Sequence, residues 1–215
     1  MSRTTLTITL FKQTINLFSN FAHVIITRNK GGWLILINDI MAFNKKFVQE
    51  KSYEPYVTSK YPGKKIAILS CMDTRLTALL PAALGLKNGD VKMIKNAGGS
   101  ISHPFGSVMR SLIIAIYDLN VEEVMVIGHN DCGMQNLDCN KLLSKMESRG
   151  VTQEQLDLMR YCGVDFEKWL HGFESPEQSV KETVNQIKNH PLIPKDVVIE
   201  GYLIDSTTGE LTVID

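Results

Sequence analysis

Two short segments of the sequence combine side chains that bind transition metals. Cys71, Asp73 and Arg75 alternate with other residues in the stretch SCMDTR, and His129 and Cys132 lie three residues apart in the stretch GHNDCG. Two thiolates and one imidazole suit Zn²⁺, and a site with three protein ligands keeps a fourth position for water or substrate. The pattern therefore predicts a zinc site. The alternative is a buried histidine with inert cysteines.

Each segment directly follows a short apolar run, at residues 64–70 (KKIAILS) and 124–127. Runs of this length next to turn residues are typical of buried parallel strands. The carboxyl ends of parallel strands lie at one edge of the sheet, where open α/β sheets place their functional sites. We therefore expect the two segments to meet there, although they are far apart in the chain.

The spacing within each segment also predicts local geometry. If the chain stays extended after the first strand, the side chains of Cys71, Asp73 and Arg75 leave on the same side. A single helical turn would bring His129 and Cys132 together, because residues three apart are neighbours on a helix. Taken alone, the first segment fits a structural cysteine beside a surface Asp–Arg pair equally well.

Hydrophobic periodicity divides the rest of the chain into alternating strands and helices. Helices are predicted at 39–51, 76–84, 107–119, 137–148, 152–161 and 176–189, and strands at 64–70, 91–94, 124–127, 197–204 and 211–214. This alternation predicts an α/β fold with a central, mostly parallel β-sheet flanked by helices and a C-terminal strand hairpin. Capping signals precede two of the helices, at Thr152 with Gln155 and at Ser175 with Pro176.

The amino-acid composition bears on whether the protein binds nucleic acid or membranes and on the compartment in which it works. The 215 residues carry 23 basic and 23 acidic side chains, so no basic excess favours a nucleic-acid partner. No apolar run approaches the ~20 residues of a membrane span, and no secretory signal is recognisable. Four cysteines are too few for a disulfide framework. We therefore expect a cytoplasmic protein with no membrane partner.

Residues 1–38 differ from the rest of the chain because they contain no Asp or Glu. Three interpretations stay open: a transit peptide, an arm that packs on a partner subunit, and an artefact of the assigned start site. The codons of Lys30, Gly31 and Gly32 could hide a ribosome-binding sequence. We treat 1–38 as an N-terminal extension, either disordered or a start-site artefact, and 39–215 as the zinc domain.

The two metal-binding segments resemble the signature of the β-class carbonic anhydrases, Cys-x-Asp-x-Arg after one strand and His-x-x-Cys-Gly after another. The likeness covers roughly residues 40 to 215 and continues in the motifs KNAG (95–98), VIGH (126–129), HPLI (190–193) and GYLID (201–205). Lys95, Gly99, Asn130 and Met134 depart from residues common in that family. None of these four is a predicted ligand. The resemblance implies the zinc-dependent, reversible hydration of CO₂ to bicarbonate and a proton.

The resemblance also implies a role for each site residue. One Zn²⁺ per chain would be held by Cys71, His129 and Cys132. Asp73 would either bind the metal as a fourth ligand, in a closed inactive state, or pair with Arg75 and admit water. In the open state the zinc-bound hydroxide would be gated and oriented by Asp73 and Arg75 as the catalytic pair.

Two alternative functions remain at this stage, and one assembly is favoured. The same fold could hydrolyse a CO₂ analogue such as carbon disulfide, or the chain could be a non-catalytic zinc protein in which Asp73 never releases the metal. The resemblance implies a homodimer or a multiple of dimers, with the 39–51 helix as a clasp. We expect His103 to be structural, and Cys139 and Cys162 to be buried or half-buried thiols.

Overall fold

The computed structural model describes residues 37–214, and of these 37–57 and 58–214 belong to two separate units. In the first unit, helix α1 spans Ile37–Gln49 and a 3₁₀ turn spans Glu54–Tyr56. The ring of Phe47 lies 6.2 Å from that of Tyr56. The helix predicted at 39–51 is therefore present. The predictions for residues 1–36 lie outside the described residues, and the proposed boundary after residue 38 stays a prediction.

The second unit is built on a five-stranded sheet. Its strands are β1 Ile66–Cys71, β2 Val91–Asn96, β3 Glu123–His129, β4 Val198–Ile204 and β5 Leu211–Ile214. Their order is β2-β1-β3-β4-β5, with every neighbouring pair parallel except β4 and β5, which are antiparallel. The predicted α/β class is confirmed, with its mostly parallel sheet and C-terminal antiparallel strand pair.

Seven helical segments accompany this sheet. They are α2 Leu76–Ala83, a 3₁₀ turn Ala97–Gly99, α3 Ser107–Tyr117, α4 Cys139–Ser148, α5 Gln153–Tyr161, α6 Phe166–Trp169 and α7 Pro176–Lys188. Thr152 and Gln155 form the predicted capping box, and Ser175 caps α7. Sequence patterning missed α6, because four residues are too few to show a helical period. Within residues 37–214, no helix has the length and apolar character to cross a bilayer.

Strand β1 is buried on both faces of the sheet, which explains its uninterrupted apolar sequence. Ala67 and Leu69 pack into a cluster with α3 and α7, whereas Ile68 packs into a second cluster with α2. Cys71 and Cys132 belong to that second cluster, so both predicted ligand thiols lie in the hydrophobic core. Burial fixes their positions more firmly than a surface loop would.

Candidate metal centre

The first site segment leaves β1 through a turn. The strand ends at Cys71, the backbone N–H of Leu76 donates to the Asp73 carbonyl oxygen at 3.1 Å, and Arg75 has helical dihedrals. The expectation of an extended chain through Arg75 is therefore wrong. The turn instead brings the backbone N–H of Arg75 to 2.9 Å from Asp73 Oδ1. This is one of three hydrogen bonds that join Asp73 and Arg75.

The second site segment also differs from the expected local geometry. Strand β3 ends at His129, and Asp131 has a left-handed backbone with φ of 53°. A right-handed helical turn cannot contain such a residue, so the expectation of a single helical turn between His129 and Cys132 is wrong. After this left-handed residue, the N–H of Gln135 donates to the Cys132 carbonyl oxygen at 2.9 Å.

These two turns bring three potential ligand atoms together. One ligand atom from each of Cys71, His129 and Cys132 lies within 4.8 Å of the other two, and all three residues are buried. The two sulfur atoms are 3.7 Å apart. Two Zn–S bonds of ~2.3 Å at a tetrahedral angle place their sulfurs about 3.8 Å apart, so the thiol separation fits zinc.

The hydrogen bonds of His129 leave one ring nitrogen for a metal. Its Nδ1 lies 2.8 Å from the Asn130 carbonyl oxygen, which requires a proton on Nδ1. Its Nε2 is buried and has no hydrogen-bond partner. Because buried polar atoms are almost always paired, an orphaned ring nitrogen beside two thiols indicates a missing ligand contact. The residues present fit a zinc ion.

The surroundings also set the protonation of the three ligands. Burial alone would raise the pKa of Cys71, but the adjacent His129 ring and the backbone N–H of Asp73 stabilise the thiolate more strongly, and the pKa falls to about 7. The adjacent Cys71 thiol raises the pKa of His129. Burial raises the pKa of Cys132. Cys71 is thus the more readily ionised of the two thiols.

Asp73 is bound to Arg75 next to these ligands. Arg75 donates from Nε to Asp73 Oδ1 at 3.0 Å and from Nη2 to Asp73 Oδ2 at 2.8 Å, a bidentate pair. The hydrogen bond from Arg75 lowers the pKa of Asp73 to about 2. Asp73 Oδ2 lies 3.9 Å from His129 Nε2, close to the ligand group but outside it. A metal-ligand role for Asp73 stays a prediction.

Sequence patterning did not predict that Asp131 and Lys95 contact this site. Arg75 Nη1 donates to Asp131 Oδ2 at 2.8 Å, and Lys95 Nζ donates to the Cys71 carbonyl oxygen at 3.2 Å. Burial lowers the pKa of Lys95. Asp131 lies within the GHNDCG segment, but its spacing gave no reason to pair it with Arg75. Lys95 lies opposite Ser70 in the β1–β2 register, a relation visible only once the strands are aligned.

A glycine turn supports the strand that carries Cys71. Gly99 has φ of +65°, and a Cβ placed on it would lie 2.8 Å from the Cys71 backbone nitrogen and 2.9 Å from the Ser70 carbonyl carbon. Only glycine fits both the left-handed backbone and this close approach. The turn after β2 is therefore packed directly against the end of β1.

The remaining candidates lie outside the metal centre. His103 Nδ1 accepts a hydrogen bond from the backbone N–H of Phe105 at 3.0 Å, which is a local structural contact. Cys139 is buried as expected, whereas Cys162 is exposed, so the expectation of a buried or half-buried Cys162 is wrong. Within residues 37–214, Cys71, His129 and Cys132 form the one group of three metal-binding side chains close enough to share an ion.

A family model, a related protein sequence and a solved structure all indicate the same family for this chain. A family model described as "Carbonic anhydrase" matches residues 66–211. The Bacillus subtilis protein named "Putative carbonic anhydrase YtiB" is 53% identical over 179 residues, 83% of this chain and 96% of that protein. The crystal structure of a β-carbonic anhydrase from Trichomonas vaginalis superposes with a TM-score of 0.75 at 32% identity, covering 84% of this chain and 98% of that one.

Another relative is named for a different reaction. The carbon disulfide hydrolase of an Acidianus species is 30% identical over 177 residues, 75% of this chain and 84% of that protein. The family therefore includes more than one named activity, although the fold is shared. The matched region contains most of the sheet and the two turns that carry Cys71, His129 and Cys132, and the chain belongs to the β-carbonic anhydrase family.

Proposed function

We propose that this protein is a zinc enzyme that interconverts CO₂ and water with bicarbonate and a proton, with one Zn²⁺ per chain. The observation that carries the proposal is the buried Cys71–His129–Cys132 group with an ionised Asp73 held beside it by Arg75. A saturated structural site would need no such pair of charged groups next to its three ligands. A catalytic site needs a group that orients the attacking water.

In this proposal, three residues bind the metal, and the Asp–Arg pair orients the attacking water. Cys71, His129 and Cys132 would hold the ion, and a zinc ion there would supply a Lewis acid that generates hydroxide from water near neutral pH. Asp73, kept ionised by Arg75, acts as a hydrogen-bond acceptor for the attacking water. Because one O–H bond of the water then points at Asp73, a lone pair of the water oxygen can face the carbon of CO₂. A new C–O bond forms as the π pair of one C=O bond of CO₂ moves to its oxygen, and one O–H bond of the water breaks and releases its proton to solvent.

Asp73 is also the proposed gate of the site. Its carboxylate can ligate zinc only if it gives up the two hydrogen bonds from the Arg75 side chain. Arg75 therefore favours the arrangement in which Asp73 is off the metal and the fourth position is open to water. Rotation of Asp73 onto the metal would close that position.

Stopped-flow measurement of CO₂ hydration by the zinc-loaded protein tests this proposal. We expect proton release from CO₂ well above the buffer rate, lost on removal of zinc with a chelator and restored when zinc is added back. Wild-type protein carrying one zinc per chain but showing no hydration at neutral or alkaline pH would contradict the proposal. It would favour the non-catalytic alternative.

Hydrolysis of carbon disulfide is the second candidate, because a relative with that name matches 75% of this chain. The reaction consumes two waters per CS₂ and yields CO₂ and two H₂S, so it needs the same attacking water. Sulfide release by the same zinc-loaded preparation would distinguish the two substrates. We expect CO₂ to be turned over and CS₂ to be left essentially unreacted.

We also propose a cytoplasmic homodimer, or a multiple of dimers. A reducing compartment suits a site that needs two free thiols. Several apolar side chains of α1 are at least half exposed, among them Ile37, Ile40, Met41, Phe43 and Val48. A second copy would cover such a surface at little cost in solvation. Light scattering after gel filtration measures the mass of the assembly directly.

A further inference from the structure

The guanidinium of Arg75 lies between two carboxylates. Its Nε and Nη2 face Asp73, whereas Nη1 donates to Asp131 Oδ2 at 2.8 Å and Nη2 donates to the Asp131 carbonyl oxygen at 2.7 Å. Four of the five N–H groups of the side chain are thus used. Asp131 supplies two of the four acceptors, one from its side chain and one from its backbone.

The backbone of Asp131 has an uncommon conformation that directs its carbonyl oxygen to Arg75. Asp131 is one of five non-glycine residues with positive φ among residues 37–214. Aspartate, asparagine and glycine adopt this region most readily. The residue lies between His129 and Cys132, on a turn anchored by the hydrogen bond between His129 Nδ1 and the Asn130 carbonyl oxygen. Arg75 is therefore tied to the same turn that carries two of the three ligands.

We infer that Asp131 is a positioning residue for Arg75, and that it keeps the Nε–Nη2 edge of the guanidinium facing Asp73. The guanidinium is planar, so two acceptors on its far side fix the plane in which the near side can donate. Without them, a long side chain that is 40% exposed would sample other rotamers. Asp73 would then leave Arg75 more often. This inference rests on the proposed function, because it concerns the gate of that site.

Two substitutions separate the contributions of Asp131. Asp131→Gly keeps the positive φ and the carbonyl oxygen but removes the carboxylate, and Asp131→Asn keeps a side-chain acceptor without the charge. In the zinc-loaded enzyme we expect Asp131→Gly to lower kcat/KM about threefold to tenfold, in the range of coupling between contacting side chains. Asp131→Asn should lose less. Zinc content should stay at one per chain in both variants.

The matched control is Asp157→Asn, which removes another exposed carboxylate paired with an arginine, at 2.8 Å from Arg160 in α5. It should leave kcat/KM unchanged. In an Arg75→Ala background, Asp131→Gly should cause no further loss, because Asp131 acts through Arg75. An equal loss in both backgrounds, or wild-type kcat/KM in Asp131→Gly, would overturn the inference.

A spectroscopic readout separates this inference from the proposed function. In protein loaded with Co²⁺ in place of zinc, the visible absorption bands report the ligands of the metal. Asp131→Gly should shift these bands toward those of Arg75→Ala, and Asp157→Asn should not. A spectrum of Asp131→Gly identical to wild type would overturn the inference, whether or not the wild-type enzyme hydrates CO₂. Absence of CO₂ hydration with the expected band shift would contradict the proposed function alone.

Discussion

The charge at the candidate metal centre is set by two cysteines and Asp73, which add negative charge, and by Arg75, which adds positive charge. Two thiolates would balance the charge of a bound Zn²⁺ and would leave it a weaker acid toward water than an ion held only by imidazoles. Asp73 adds a further negative charge, which Arg75 neutralises at 2.8 Å. The Asp–Arg pair therefore places a hydrogen-bond acceptor at the site while its own two charges cancel, and the second carboxylate on Arg75, that of Asp131, is 87% exposed and screened by solvent.

Removal of one ligand tests the metal assignment most directly. Cys71→Ala leaves one thiolate and one imidazole, so we expect zinc to fall from one per chain to about a tenth or less after dialysis. Cys162→Ala is the matched control, because that cysteine is exposed and lies outside the ligand group. Metal analysis by mass spectrometry measures both. Full zinc in Cys71→Ala would contradict the assignment.

Substitution of the Asp–Arg pair should affect turnover rather than metal content. Asp73→Ala keeps the three ligands but removes the acceptor that orients water, so kcat should fall about 100-fold or more. Arg75→Ala frees Asp73 to bind zinc and should reduce kcat about 10-fold to 100-fold, as is usual for residues that support a metal site. Wild-type turnover in Arg75→Ala at every pH would contradict the gating role. Stopped-flow CO₂ hydration and metal analysis measure the two effects separately.

Zinc affinity should rise with pH because the metal competes with a proton on Cys132. Burial raises the pKa of this thiol, so it is protonated below pH 8 before zinc binds. Each bound zinc then releases that proton, and affinity should increase at least about tenfold per pH unit between pH 7 and 8, because any charged His129, whose pKa is raised, must also lose its Nε2 proton. Below pH 7 the slope should steepen, because Cys71, with a pKa of about 7, is also protonated there. Competition with a chromophoric chelator measures the slope, and an affinity independent of pH would exclude thiolate ligands.

At the scale of elements, the strands and the turns were not equally predictable from sequence. The apolar runs of β1 and β3 and the period of α3 follow from local patterning, so their existence and approximate bounds were predicted correctly. The two site turns do not follow from local patterning. The helical dihedrals of Arg75 and the positive φ of Asp131 satisfy contacts between residues more than 50 positions apart. The grouping of Cys71, His129 and Cys132 was therefore predictable, whereas the geometry of that group required the folded chain.

The turn after β2 gives a prediction at this scale. Gly99→Ala would add strain at φ of +65° and bring a methyl group within 2.8 Å of the Cys71 nitrogen, so it should lower the free energy of unfolding by about 2–4 kcal/mol. It should also weaken zinc binding, because the backbone of Cys71 must move. Gly85→Ala is the control, since Gly85 has φ of +63° with open space around it.

Urea denaturation and chelator competition measure the two consequences of Gly99→Ala. Gly85→Ala should cost about 1 kcal/mol from strain alone and leave zinc affinity unchanged. If the two variants lost equal stability and bound zinc equally well, the close packing of Gly99 on β1 would have no role in holding Cys71. That outcome would limit the function of the glycine turn to its backbone conformation.

Across the whole chain, the family features are concentrated after residue 58. The family model matches residues 66–211, and 96% of YtiB is matched by 83% of this chain, so about a sixth of the chain has no counterpart in that relative. Within the described residues 37–214, all five strands and the three proposed ligands lie in the second unit. A chain that retains this unit and α1 should therefore retain the zinc site.

The N-terminal extension gives the last prediction. Residues 1–35 lack acidic side chains and precede both α1 and the family match, so we expect them to be dispensable for zinc binding and catalysis. Deletion of 1–35 should leave zinc content, solubility and CO₂ hydration unchanged. Deletion of 1–49, which also removes the exposed apolar side chains of α1, should instead lower the mass of the assembly measured by light scattering. If the 1–35 deletion aggregated or lost activity, the extension would be a genuine structural arm and the start-site interpretation would be wrong.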